Sequence, residues 1–265
     1  MKGSAYLAKA SKRIEHIQNH LEGRDEDLER KINFITHNLG DPVACVMGLS
    51  GHAEASAMYA WFANHDLKTM KQWWYVSAKL EQLQYRMEVD TFSPEANTLH
   101  LIKPILSDHD GVIDWFAHFD AIYDMKRVEN HKTRDFRAYN VIMALRGDWP
   151  RLIERCERVI NDPPGASDEQ KYQIDHHFFL ALGKGDLSKM EQVLQQIVEP
   201  KAIRSRSDDE SGYTEDLIST YAVIYAKIAW RHGYQVKVDS PYVPVEWLPM
   251  APLEHYDSHY DFLKS

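Results

Sequence analysis

No apolar run in this 265-residue chain approaches the ~20 residues needed to cross a bilayer. The amino terminus, Met-Lys-Gly-Ser-Ala-Tyr-Leu-Ala-Lys, has none of the apolar stretch of a secretory signal. Cysteine is scarce. Cys45 and Cys156 lie 111 residues apart among apolar neighbours, which excludes a disulfide scaffold and reads as two small buried thiols in a reducing compartment. These absences point to a cytoplasmic protein without membrane contact. Basic residues are outnumbered, 31 against 40 acidic ones, for a net charge of −9. Direct nucleic-acid binding needs a basic face and is therefore not expected. The same imbalance suits simple solubility, or a basic partner whose complementary potential speeds encounter.

Period-two strand patterns are also missing, and helical spacing takes their place. Four aspartates, Asp66, Asp108, Asp148 and Asp186, head apolar runs at intervals of 42, 40 and 38 residues. Each is followed at +4 and +8 by an apolar residue: Met70 and Trp74, Val112 and Phe116, Leu152 and Cys156, Met190 and Leu194. An aspartate can accept from the free N–H groups of a first helical turn and suits the positive end of the helix dipole. The +4/+8 spacing then sets one apolar stripe. A period near 40 is one helical hairpin, the unit of an α-solenoid. The segments 144–156 and 181–194 also resemble each other directly.

Nearly every other segment reads as helix. Leu7, Ala10, Ile14, Ile17 and Leu21 form a stripe closed by Gly23, and Leu28, Ile32, Ile35 and Leu39 form another closed by Gly40. Asp41-Pro42 opens a helix rich in alanine and glycine, expected at the centre of the stack. Asp66 opens a long helix in which Trp73 and Trp74 point to different sides. Ser93-Pro94 starts a further segment, which Pro104 should bend or break. Thr133 caps one helix, Ser167 with Gln170 forms a capping box, and Thr214 is expected to cap an amphipathic helix over Leu217, Ile218, Tyr221, Ile224 and Ile228. Arg204–Gly212 reads as a polar, mobile loop. After Gly233 the texture changes to an extended segment anchored by Tyr242 and Trp247, with a last short helix over Leu253, Tyr256, Tyr260 and Phe262. The expected class is all-α: stacked antiparallel hairpins, solenoid-like or TPR-like, in one domain over 1–265, with hairpins to 233 and a tail over 234–265.

Fourteen histidines invite a search for chemistry. His52-Ala53-Glu54 has the His-x-Glu spacing of a zinc deaminase but lacks the Pro-Cys-x-x-Cys half. Asp175-His176-His177 sits on a helix where adjacent side chains diverge by ~100°, so a polar helix face is the simpler reading. His255 and His259 are four apart without the glutamate of a zinc pattern. No phosphate-cradling glycine loop and no Gly-x-Ser-x-Gly elbow occurs. The expectation is a non-enzyme with no catalytic residue, no cofactor and no metal.

Three features read as contact surface, each with a plain structural counterpart. Asp25, Glu26, Asp27 and Glu29 crowd a helix start, where acids also favour the dipole. Asp208, Asp209 and Glu210 stand beside Tyr213 on the polar loop, which is either a binding loop or a solvated linker. Tyr256, Asp257, Tyr260 and Asp261 mix aromatic anchors with acids, although the tyrosines could instead pack the tail down.

The block Tyr225-Ala-Lys-Ile-Ala-Trp-Arg-His-Gly-Tyr234, then Val238-Asp-Ser-Pro-Tyr-Val-Pro244, then Trp247-Leu-Pro249, resembles the C-terminal signature of the immunity 49 family of bacterial polymorphic toxin systems. Leu106-Ser107-Asp108, Ala144–Cys156 and Ala181–Leu194 resemble it upstream, so the likeness runs from about Trp61 onward. Its motifs are helix caps and Gly-Tyr or Pro patterns, architectural rather than catalytic. The resemblance implies an immunity protein that neutralises a cognate toxin by stoichiometric binding. A basic toxin, such as a nuclease, would meet the acidic surface. The alternatives are a helical-repeat adaptor or regulator with another protein partner, or an all-α enzyme with a dispersed site.

Overall fold

The computed structural model describes residues 2–87 and 98–264, with the side chains of residues 2–4 and 167 left out. The described residues form helices and no strand, so the chain is all-α as expected. The segment expected at Ser93-Pro94 lies outside them, as does the Ser167 side chain of the capping box. In chain order the helices are α1 (Lys2–Leu21), α2 (Asp25–His37), α3 (Pro42–Phe62), α4 (Leu67–Met87), α5 (Ile102–Ser107), α6 (Asp110–His118), α7 (Met125–Val128), α8 (Arg134–Arg146), α9 (Trp149–Asn161), α10 (Ser167–Gln170), α11 (Gln173–Lys184), α12 (Leu187–Ile197), α13 (Pro200–Ser205) and α14 (Thr220–Arg231).

The caps explain most of these boundaries. Asp41 accepts from Ala44 N–H at 3.0 Å, and Asp186 from Lys189 N–H at 3.0 Å. Asp66 accepts from both the N–H (2.9 Å) and the hydroxyl (2.6 Å) of Thr69. Asp148 holds the cap position of α9, but its side chain accepts no cap bond. The likeness of 144–156 to 181–194 is a likeness of corners. Gly147 and Gly185 both take the left-handed conformation, and the amides of Asp148 and Asp186 reach back to Met143 O (3.0 Å) and Ala181 O (2.9 Å). This is the same helix-ending motif twice.

Packing follows the small residues. α3 lies against α1, α2 and α4, with Ala53, Ala57 and Ala60 among its buried residues. α9 packs on α11, where a Cβ on Gly183 would stand 2.8 Å from Ile153 Cγ1. Only glycine permits that approach. The helix ending at His100 breaks at Leu101 before α5 begins, because Pro104 has no N–H for the His100 carbonyl. Two helices are buried all round: α8, from Asp135 to Leu145, and α14, from Thr220 to Ala229, which packs against α5 and α12.

α14 corrects two expectations. It starts at Thr220 rather than Thr214, which lies in a turn and accepts from Ser211 N–H at 2.9 Å. Its first turn is capped from ten residues upstream, by Glu210, which accepts the Thr220 N–H at 2.8 Å and hydroxyl at 2.6 Å. Nor is Arg204–Gly212 an open polar loop. α13 runs into a 3-10 turn at Ser207–Asp209, and Arg206 is buried against Asp175. The tail has no final helix either, only a 3-10 turn at Asp261–Leu263. Its polar groups are instead tied to other elements: Tyr256 donates to Ser107 O at 2.6 Å, and Gln72 accepts the Asp257 N–H at 3.1 Å.

Asp175-His176-His177 is not a polar surface face. Both Asp175 and His176 are buried, Asp175 against Arg206 and Tyr225 of α14, and His176 against Phe136 and Asn140 of α8. His176 Nδ1 lies 3.3 Å from Asn140 Nδ2, and burial pushes its pKa from 6.5 down to about 3. The unfolded chain therefore takes up this proton as pH falls through 6.5, while the folded chain resists it until near 3. Unfolding is favoured throughout that window. Between pH 7 and pH 5 the loss from His176 should be about 2 kcal/mol. Urea unfolding at both pH values, for the wild type and His176→Gln, measures it; identical pH slopes would refute the assignment.

Candidate partner surface

Asp108 is the residue that breaks the pattern of four. It is not an N-cap: His109 fills that role for α6, its Nδ1 accepting from Val112 N–H at 3.2 Å. Asp108 itself ends α5 in a left-handed turn (φ 58°), fully buried. Its carboxylate meets Lys71 at 2.8 Å and Lys227 at 2.7 Å, both also buried. Burial pushes the Lys227 pKa down to about 8, against the pull of Asp108. The two ammonium groups then grip the tail: Lys71 donates to Ala251 O (2.6 Å), and Lys227 to Trp247 O (2.7 Å) and Pro249 O (2.8 Å). Trp247, buried against Trp61 and Phe62, completes the anchor.

A second ionic network lies under the loop that carries Asp208. Asp175 binds Arg206 at 2.7 Å and accepts from the Tyr225 hydroxyl at 2.8 Å. Arg137 pairs with Glu169 at 3.1 Å and lies over the Tyr172 ring at 3.7 Å. Burial works against the Arg206 charge, and Asp175 outweighs it. Both networks bind helices to one another, and their groups are committed to internal partners. The same holds for Glu81, whose carboxylate burial pushes up but whose neighbours His100 (2.5 Å) and Lys103 (2.7 Å) hold below the usual range. Burial pushes the Cys156 thiol up to about 12, and both cysteines are free. Among the described residues, no cluster of three or more histidine, cysteine, aspartate or glutamate side chains is placed to hold a metal ion. His52 and Glu54 diverge: Glu54 accepts from the Ser211 hydroxyl, while His52 faces His20 and Trp73.

The residues expected at a contact surface divide into two groups. Asp208, Asp257 and Asp261 are exposed. The others carry internal contacts. Asp209 accepts the Tyr172 hydroxyl at 2.7 Å, and Glu210 caps α14. Tyr256 donates to Ser107 O at 2.6 Å and packs on Tyr75 and His109. Tyr260 is buried. At the start of α2, Asp27 is paired with Lys31 and Arg30.

The structure nevertheless brings the loop and the tail together through a row of rings. Tyr213 bonds His20 (3.0 Å to Nε2), His20 faces His52 at 6.2 Å between centroids, and His52 faces Trp73 at 6.3 Å. Trp73 meets His259 at 4.7 Å, and His259 meets Tyr260 at 4.7 Å. Burial holds His20 below its ordinary pKa and pushes His52 down to about 4, so these two rings are neutral at pH 7. The histidines and Trp73 of this row carry no shared contact signal in the sequence, since they come from three helices and the tail. The one available signal was that Trp73 and Trp74 cannot both face one core; Trp74 is buried and Trp73 is in the row.

Comparison with known families bears on the half of the molecule that holds the Asp175 network. Residues 126–247 match the family model described as Immunity protein 49. The immunity 49 resemblance is borne out over that span. The span is just under half of the chain, running from α7 to Trp247, and is shorter than the reach from Trp61 suggested by the sequence motifs. It includes Asp208–Tyr213, α14 and the corners at Gly147 and Gly185, while Asp108, Lys71 and Tyr256–Asp261 lie outside it. No curated protein and no solved structure matches the chain.

Proposed function

We propose that the chain is an immunity protein that neutralises a cognate bacterial toxin by direct, stoichiometric binding in the cytoplasm. The match of residues 126–247 to Immunity protein 49 is the observation that carries this reading. The net charge of −9 supports a basic toxin, such as a nuclease whose phosphate-binding face an acidic inhibitor would occupy. On this reading the protein acts by occupancy and turns nothing over. Contact is made by the exposed acids Asp208, Asp257 and Asp261 around the aromatic row, with Tyr213, Tyr256 and Tyr260 setting its shape and Asp209 and Glu210 holding the loop.

Co-expression with the toxin domain encoded beside it should restore growth, and the purified pair should titrate at one to one. Persistent killing by a well-folded, expressed chain would refute the reading. Reversing Asp208, Asp257 and Asp261 to lysine should lower the association rate by about tenfold and flatten its salt dependence, with a smaller change in dissociation. Association kinetics unchanged at low salt would remove these acids from the interface. None of the three supports a buried contact, so the fold should stand.

A further inference from the structure

The stripe on α1 contains one residue that finds no neighbour. Ala10 and Ile17 are buried as their spacing predicts, but Leu7 is 63 % exposed. The only comparable large apolar side chain among the described residues is Val245, 62 % exposed. The two line the same groove, formed by α1, the end of α3 and the loop 238–246, with a volume of about 780 Å³. Trp61 and Phe62 also line it.

The walls are fixed by the fold. Tyr6 donates to Leu217 O at 3.0 Å and meets Tyr242 edge-on at 5.0 Å. Gln195 holds the backbone of Asp239 from both sides, at 3.1 and 3.3 Å. A groove held this way loses little freedom when filled. Its polar lining is one-sided. The exposed acids Asp239 and Glu246 line it, with His65 and no lysine or arginine, and neither acid pairs with a basic side chain among the described residues. Two clustered, exposed apolar side chains beside unpaired acids form an anchor site with a charged rim, the arrangement of an interface hot spot.

Resting on the immunity reading above, we propose that this groove seats a segment of the toxin carrying bulky apolar side chains next to lysine or arginine. The apolar side chains cover Leu7, Val245, Trp61 and Phe62, and the cations meet Asp239 and Glu246. A second copy of the chain fits poorly, because it would bring its own net charge of −9 against the same acids.

The test titrates the catalytically silenced toxin domain from the adjacent gene into three proteins by calorimetry. These are the wild type, the double variant Leu7→Asp/Val245→Asp, and the rim variant Asp239→Lys/Glu246→Lys. The first pair should weaken binding about 100-fold or more with an unchanged melting temperature. The rim pair should weaken it about tenfold, an effect that shrinks as salt is raised. Wild-type affinity in both folded variants would overturn the groove while leaving the immunity reading standing. If the wild type itself neither binds nor protects, the immunity reading fails and the groove loses its assigned occupant with it. A wild type that elutes as a dimer, made monomeric by Leu7→Asp/Val245→Asp, would overturn the proposal in favour of a second copy.

Discussion

Replacing Asp108 with alanine should lower the unfolding free energy by about 3–5 kcal/mol, as expected when one partner of a buried ion pair is removed. Lys71 and Lys227 would then face each other without a counter-charge, in a site where all three side chains are at most 3 % exposed. Lys227 already titrates low because it is buried, and loses the carboxylate that opposes the shift. The damage should extend beyond global stability. Both lysines hold tail carbonyls, so the amides of Met250, Ala251 and Leu253 should exchange faster in Asp108→Ala than those of α9. Urea unfolding together with hydrogen exchange reads both effects. Adding Lys227→Met to Asp108→Ala should recover part of the loss, since it removes one unpaired charge. An Asp108→Ala protein within about 1 kcal/mol of wild type would show that the triad contributes nothing to stability.

Asp175→Ala should cost a similar amount, about 3–5 kcal/mol, by a related route. Arg206 would keep its bond to Lys171 O at 2.6 Å but lose both contacts to the carboxylate, and the Tyr225 hydroxyl of α14 would lose its acceptor on α11. Because Arg206 immediately precedes the turn that carries Asp208, the variant should also disturb the acidic loop. A double-mutant cycle with Arg206→Met separates the two effects. If the pair acts as one unit, Arg206→Met should cost much less in the Asp175→Ala background than alone. Additive losses would mean that each residue stabilises the fold through other partners.

The helices could be read from the sequence because their stripes and caps are local. Asp41, Asp66, Thr133 and Asp186 all accept from an amide three residues on, which a sequence can display. Asp108 looked the same in the sequence and is not, because His109 took the capping role and left the aspartate free to turn inward. Nothing local distinguishes those outcomes; what decides them is the arrival of Lys71 and Lys227 from elements 37 and 119 residues away. Glu210 misled in a similar way. Its place in an acidic run suggested solvent, yet its partner is the start of α14. That helix did carry a signal: between Thr220 and Ala229 the only charged residue is Lys227, and a helix apolar nearly all round belongs in a core. Of the contact surface, the exposed acids were visible, whereas the ring row and the groove depend on residues brought together from opposite ends of the chain.

The grip on the tail is made to main-chain oxygens, and every amino acid carries one. Lys71 and Lys227 therefore recognise the path of residues 249–251 without reading their side chains, two of which, Pro249 and Ala251, face solvent. Only the Ala251 amide, which donates to Asp108 at 3.2 Å, sets a condition, and proline alone violates it. A side-chain change at exposed Ala251, to anything but proline, should thus leave the strap in place and the buried clasp beneath it unaltered.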